Sequence, residues 1–180
     1  MNLPLPKSHS LVRPFAPTPA EFQTMAKEAN NPLISKWMRN AFPSPYNPEN
    51  AESWIEFANS QSPLRDFAIC AADTNTLIGA IGLKTRDDIQ YRTMEIGYWL
   101  GQEHWGKGVA TEAVVVFSGW VFETFAHVVR LEAEVFEGNE GSKRVLEKAG
   151  FVCEGRRRWG VEKGGVLLDT FVYCLFREGA

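Results

Sequence analysis

A chain of 180 residues, 44% hydrophobic and 23% charged, can bury a sizeable core without disulfide or metal staples. Its formal net charge of −3 offers no electrostatic attraction for nucleic acid, and no segment has the apolar length needed to cross a bilayer. The three cysteines, Cys70, Cys153 and Cys174, each lie in an apolar, strand-like run and read as reduced core residues, which argues against a disulfide framework or a metal site.

The first residues, Met1 to Lys7, are broken by prolines and do not resemble a signal peptide, so a single domain over residues 1–180 in a soluble, cytoplasmic protein is expected. Leu11 to Phe15 predicts a short first strand closed by Pro14. Thr18-Pro19-Ala20-Glu21 has a helix N-cap followed by proline at the first helical position, and the helix should run to Asn30-Asn31, where Pro32 stops it. Phe42 to Pro48 is a proline-punctuated loop. A second short helix should begin near Asn50, with Trp54, Ile55, Phe57 and Ala58 as its apolar stripe.

Phe67–Ala71 and Leu77–Leu83 flank Asp73-Thr74-Asn75-Thr76, a hairpin, and Thr93–Leu100 is a further strand. Ala110–Phe125 reads as the principal helix. Val128–Phe136 is a half-buried strand, with Leu131, Ala133 and Val135 on one face and Arg130, Glu132 and Glu134 on the other. A helix from Asn139 to Ala149 should end at Gly150, and Lys163-Gly164-Gly165 should join two last strands, Val152–Trp159 and Val166–Phe176. Strands before, between and after helices predict an α/β (α+β) sheet with helices on both faces.

Two segments carry chemistry. Trp105-Gly106-Lys107-Gly108-Val109-Ala110-Thr111-Glu112-Ala113 lies between a strand and the long helix. Its glycines let the backbone turn tightly and approach a ligand, and the helix N-terminus that follows attracts phosphate. The same residues also suit a plain strand-to-helix turn. The spacing fits neither a Walker loop nor the dinucleotide G-x-G-x-x-G. Asn139-Glu140-Gly141-Ser142-Lys143-Arg144-Val145-Leu146-Glu147-Lys148-Ala149-Gly150-Phe151 is the second, in which Asn139 also suits an N-cap.

Together these segments resemble the GNAT superfamily of N-acetyltransferases. W-G-K-G-V-A-T-E-A is similar to its pyrophosphate motif, and N-E-G-S-K-R-V-L-E-K-A-G-F to the motif that follows. Glu95-Ile96-Gly97-Tyr98-Trp99-Leu100, Glu154-Gly155-Arg156 and Asp169 to Glu178 resemble the RimJ/RimL-type branch. Trp105 stands where many members have Gln or Arg, although this branch often has Trp there. Leu146 stands where many have a tyrosine that protonates the departing thiolate.

The resemblance implies a GNAT fold, with a mixed, mostly antiparallel central sheet whose middle strands splay, and acetyl-CoA as co-substrate without a metal. It implies that backbone groups around Trp99 and Leu100 bind the amide arm, that Trp105, Gly106, Lys107, Gly108, Val109, Ala110 and Thr111 hold the pyrophosphate, and that Asn139 and Ser142 line the thioester end. It implies transfer of acetyl to a primary amine, either a protein or peptide N-terminal α-amine or a small molecule, by direct attack in a ternary complex. The protein would act as monomer or homodimer, with no nucleic-acid or membrane partner. A CoA-binding sensor that has lost catalysis is the alternative, and a nucleotide-binding protein is disfavoured by the loop spacing.

The reaction needs a neutral amine. Deprotonation at pH 7 costs about 1 kcal/mol for an α-amine and about 4–5 kcal/mol for a lysine-like amine, so a base is useful. Glu95 is the candidate base; it reads equally as an outward carboxylate, or one paired to Arg86 or Arg92. Ser142 is the candidate donor to the leaving sulfur. Arg156, Arg157 and Arg158 alternate along a strand and read as a solvated edge. His9, His104 and His127 lack metal-ligand spacing, and His104 reads as polar filler of a loop. Phe42, Tyr46 and Trp54 suit either an acceptor wall or loop packing.

Overall fold

The computed structural model describes residues 1–179, with eight strands and five helices along the chain. Strand β1 (Leu3–Leu5) pairs antiparallel with β2 (Ser10–Arg13), placing Leu3 opposite Val12. From the sequence, β2 is the first strand expected, and none is assigned to residues 3–5. At the end of the sheet, where β1 stands, the missing donor of Pro4 disrupts no interior ladder.

Helix α1 (Pro19–Ala29) starts as predicted, with the Thr18 hydroxyl accepting the Glu21 N–H at 3.3 Å. Glu21 then turns back to clamp the Arg13 guanidinium at 2.7 and 2.8 Å, tying β2 to α1. Pro32 stops α1 but also opens a further turn, α2 (Pro32–Ser35), capped by Asn31. The α3 helix (Pro48–Ser60) is fixed by a capping box: Asn47 and Asn50 each accept the other's backbone N–H, at 2.9 and 3.0 Å.

β3 (Asp66–Ala71) and β4 (Leu77–Thr85) form the predicted hairpin, with Asn75 in the left-handed region at φ 56°. They are followed by β5 (Thr93–Leu100), α4 (Val109–Thr124), β6 (Arg130–Phe136), α5 (Glu140–Lys148), β7 (Val152–Lys163) and β8 (Val166–Phe176). The strand order is β1-β2-β3-β4-β5-β6-β8-β7. β5 and β6 run parallel, whereas β1–β2, β2–β3, β3–β4, β6–β8 and β7–β8 are antiparallel. Among the described residues, no helix is long and apolar enough to cross a membrane.

Two compact units are distinguished. The first comprises Met1–Gly82 and Tyr98–Ala113. Its core gathers Phe15, Met25, Ile34, Ile55, Leu77 and Trp99, with Phe42 packed against them. The second comprises Leu83–Gly97 and the chain from Val114 onward. Here Leu131, Ala133 and Val135 are buried while Arg130, Glu132 and Glu134 are half-buried, the alternation that the sequence predicts for β6.

One expectation needs correction. Cys70 and Cys174 are buried free thiols, but Cys153 is exposed, because β7 is the outermost strand and its first nine residues are exposed. Burial pushes the Cys70 and Cys174 thiols up to about 12. The three arginines of β7 do form an edge. Arg156 pairs with Asp169, Arg157 reaches Glu134 at 3.2 Å, and Arg158 lies over the Trp159 ring at 5.4 Å.

Gly79 shows how tightly the end of β5 is held. A Cβ there would lie 2.3 Å from the Trp99 carbonyl oxygen and 2.7 Å from the Leu100 side chain. Backbone cannot rotate away, so Gly79→Ala should cost about 1–3 kcal/mol in denaturant unfolding. At Gly97 an added Cβ meets nothing within 4 Å, and Gly97→Ala should stay within about 0.5 kcal/mol of the parent. Equal costs for the two would contradict this account of the packing.

Candidate active site

After Leu100 the chain makes a short turn at Gln102–His104, held from both sides. The Gly101 N–H donates to the Ile78 carbonyl at 2.9 Å, and the Trp105 indole N–H donates to the Leu100 carbonyl at 2.8 Å. Trp105, Gly106, Lys107 and Gly108 are exposed. Gly106 (φ +73°) and Gly108 (φ +82°) both sit in the left-handed region, and a Cβ on either would meet nothing within 4 Å. The backbone here is open to a ligand.

The Gly108 carbonyl accepts the Glu112 N–H at 3.0 Å and starts α4. The N–H groups of Val109, Ala110 and Thr111 therefore have no partner within the helix. A helix of 16 residues places roughly half a positive charge at this end. Exposed glycine backbone, first-turn N–H groups and the neighbouring Lys107 together form a cradle suited to a phosphate or pyrophosphate.

Glu112, in the first turn of α4, anchors the cradle to the start of the chain. Its carboxylate accepts the backbone N–H groups of Lys7 at 3.0 Å and Ser8 at 2.8 Å. Burial opposes its charged form, yet the hydrogen bonds from Ser8 and Lys7 hold it below the usual carboxylate range. Nothing local in the sequence signals this contact, which joins residues more than a hundred positions apart. Beside the turn, Lys27, Glu28, Asn31, Gln102 and Glu103 line an open hollow of about 470 Å³. His104 lies 3.7 Å from Glu28, a pairing that its reading as loop filler misses.

In the second unit the parallel ladder of β5 and β6 is short: Thr93, Met94 and Glu95 stand opposite Arg130, Leu131 and Glu132. Beyond these pairs β6 runs on from Ala133 to Phe136, in register with Tyr173 to Thr170 of β8. Glu95 is paired to Arg86 at 3.3 Å, with its side chain 12% exposed. Arg92, the other cation near it in sequence, donates to the His127 carbonyl.

On α5 the Asn139 side chain accepts the Ser142 N–H at 3.2 Å, so the two residues come together as a helix cap. Leu146 is wholly buried, and its hydrocarbon side chain has no proton to give a leaving group. In the first unit Trp99 is buried, with its ring edge-on to Phe42 at 6.1 Å. Phe42 lies 4.9 Å from the Tyr46 ring, while Trp54 faces outward beside Phe57.

Residues 11–152 match the family described as the acetyltransferase (GNAT) domain. The chain belongs to this family. It is 42% identical over 109 residues to "Probable N-acetyltransferase YjcK" of Bacillus subtilis, a match covering 61% of this chain and 60% of that protein. It is 29% identical over 175 residues to "Putative ribosomal N-acetyltransferase YdaF" of the same organism, covering 94% and 92%. The fold also matches that of RimL, a ribosomal L7/L12 α-N-protein acetyltransferase in complex with coenzyme A, with TM-score 0.82, 16% identity and full coverage of both chains. The sheet is accordingly a GNAT sheet, mixed and mostly antiparallel.

The turn into α4 fits a pyrophosphate on two observations: the space over Gly106 and Gly108 is open, and the first-turn N–H groups face no helical partner. Gly108→Val should strain the left-handed backbone by about 1–2 kcal/mol and put side chain where phosphate approaches. We expect acetyl-CoA affinity, measured by calorimetry on the folded variant, to fall by roughly tenfold or more. Unchanged affinity would remove the cradle from the site.

Proposed function

We propose that this GNAT protein is an acetyl-CoA-dependent N-acetyltransferase that acetylates a primary amine, with the α-amine of a protein or peptide as the favoured acceptor. The observation that carries it is the exposed, left-handed glycine turn running into the first turn of α4. Acetyl-CoA supplies the acetyl group as a thioester. In this reading the N–H groups from Gly106 to Thr111 hold the pyrophosphate, with Trp105 and Lys107 beside it, and backbone around Trp99 and Leu100 meets the amide arm. Asn139 and Ser142 serve the thioester end.

The acceptor nitrogen forms a bond to the acetyl carbon, the carbon–sulfur bond breaks, and the nitrogen's surplus proton passes to Glu95. Ser142 steadies the departing sulfur, whose thiolate needs only modest help at a pKa near 8.5. Cys70 and Cys174 are unsuited to carry an acetyl group, because both are buried with thiols raised to about 12, whereas Cys153 is exposed on the outermost strand. Leu146 without an acid, and a Glu95 already engaged with Arg86, favour the second reading of a CoA-binding sensor.

Several features support an α-amine acceptor. YdaF is named for a ribosomal acceptor and RimL for an α-amino one. The loop from Arg39 to Pro48 carries no acidic residue to hold a polycation. An α-amine also asks less of a base than lysine or spermidine does. Comparing kcat/KM at pH 7, peptides with a free α-amine should exceed spermidine and lysine side chains. Spermidine ahead by roughly tenfold would overturn the acceptor assignment.

A further inference from the structure

Glu95 and Glu132 are a register pair across the three-residue parallel ladder of β5 and β6. Two carboxylates directly opposite on neighbouring strands repel each other. One guanidinium answers both: Arg86 Nη2, just past the end of β4, lies 3.3 Å from Glu95 Oε2 and 3.6 Å from Glu132 Oε2. Glu132 has a second cation in Arg130, at 2.8 Å, and Arg130 in turn holds Glu154 of β7 at 2.5 Å. The Cys174 thiol completes the outer end, donating to Glu154 at 3.2 Å.

The side chains thus alternate in sign from Glu95 through Arg86, Glu132 and Arg130 to Glu154, three carboxylates against two guanidiniums. Side-chain exposure falls from 39% at Glu154 to 18% at Glu132 and 12% at Glu95, so charge effects are screened least at the Glu95 end. Of the other nearby cations, Arg92 donates to the His127 carbonyl and Arg157 reaches Glu134, while Lys84 is an exposed residue of β4, the strand beside β5.

We propose that Arg86 and Glu132 are positioning residues that act through Glu95. The guanidinium aims the Glu95 carboxylate, and Glu132 offsets the guanidinium's charge so that the carboxylate can still take a proton from the acceptor amine. Arg86 alone would hold Glu95 as a spectator anion; Arg86 shared with Glu132 leaves it oriented and responsive. The proposal rests on Glu95 being the base, and its test separates the two ideas.

The test is the pH profile of kcat/KM for an α-amine peptide, measured on the full chain. Removing a nearby negative charge makes a carboxylate easier to ionise, and removing a positive one makes it harder. Glu132→Gln should therefore move the acid limb to lower pH, and Arg86→Gln to higher pH, each by roughly half a unit to one unit. Arg86→Lys, which keeps the charge but not the fork, should restore the limb's position with a reduced plateau. Glu95→Gln is the control and should abolish the limb, with a loss of about 10²–10⁴-fold at neutral pH.

If the limb disappears in Glu95→Gln while Glu132→Gln and Arg86→Gln shift it the same way or not at all, the positioning proposal is overturned and the base assignment stands. If the limb survives in Glu95→Gln, both fall together. A purely structural role for the ion pairs would lower melting temperature and plateau rate without opposite movements of the limb.

Discussion

The site depends first on where α4 begins. A helix start leaves N–H groups without helical partners, and in an exposed turn these must meet water or a ligand. Here the start follows two glycines at φ +73° and +82°, with open space where side chains would otherwise stand. An anion that meets these N–H groups gains from both the hydrogen bonds and the helix dipole. The surroundings hold that backbone in place: Trp105 donates to the Leu100 carbonyl, Gly101 to the Ile78 carbonyl, and Glu112 receives the N–H groups of Lys7 and Ser8. Because it is fixed before any ligand arrives, little ordering cost falls on binding.

A second constraint shapes the chemistry. Where the β5–β6 ladder stops, two carboxylates face each other and share a guanidinium. The alternating order of charge, running outward to Glu154, is the ground for the positioning role proposed for Arg86 and Glu132. The helix cap made by Asn139 and Ser142 serves the fold in its own right, and the role proposed for these residues at the thioester end adds to that duty.

Features written in local chemistry are legible in the sequence. Thr18 with Pro19 opens α1, Asn139 caps α5, Gly150 ends it at φ +89°, and Gly164-Gly165 turns β7 into β8. The paired glycines before α4 are legible for the same reason: they act within a few residues. What escaped depends on topology. β1 carries a proline, Pro4, which the sheet tolerates because the strand lies at its end. Cys153 lies in an apolar run, but the run falls on the outermost strand and is exposed. The Glu95–Glu132 pair exists through a parallel register that no pattern along either strand encodes. For Glu95 the sequence offers two cations, Arg86 and Arg92, and only the fold separates them.

The central claim is that a pyrophosphate-binding helix start here serves acetyl transfer to an amine. The most direct measurement is the initial rate of thiol release from acetyl-CoA by the purified protein, with acetyl-CoA and a panel of amine classes varied together. The account predicts release that depends on the amine, saturates in both substrates and gives intersecting double-reciprocal lines, as direct attack in a ternary complex requires. Tight CoA binding without thiol release for any amine would contradict it and identify the protein as a sensor of the cofactor.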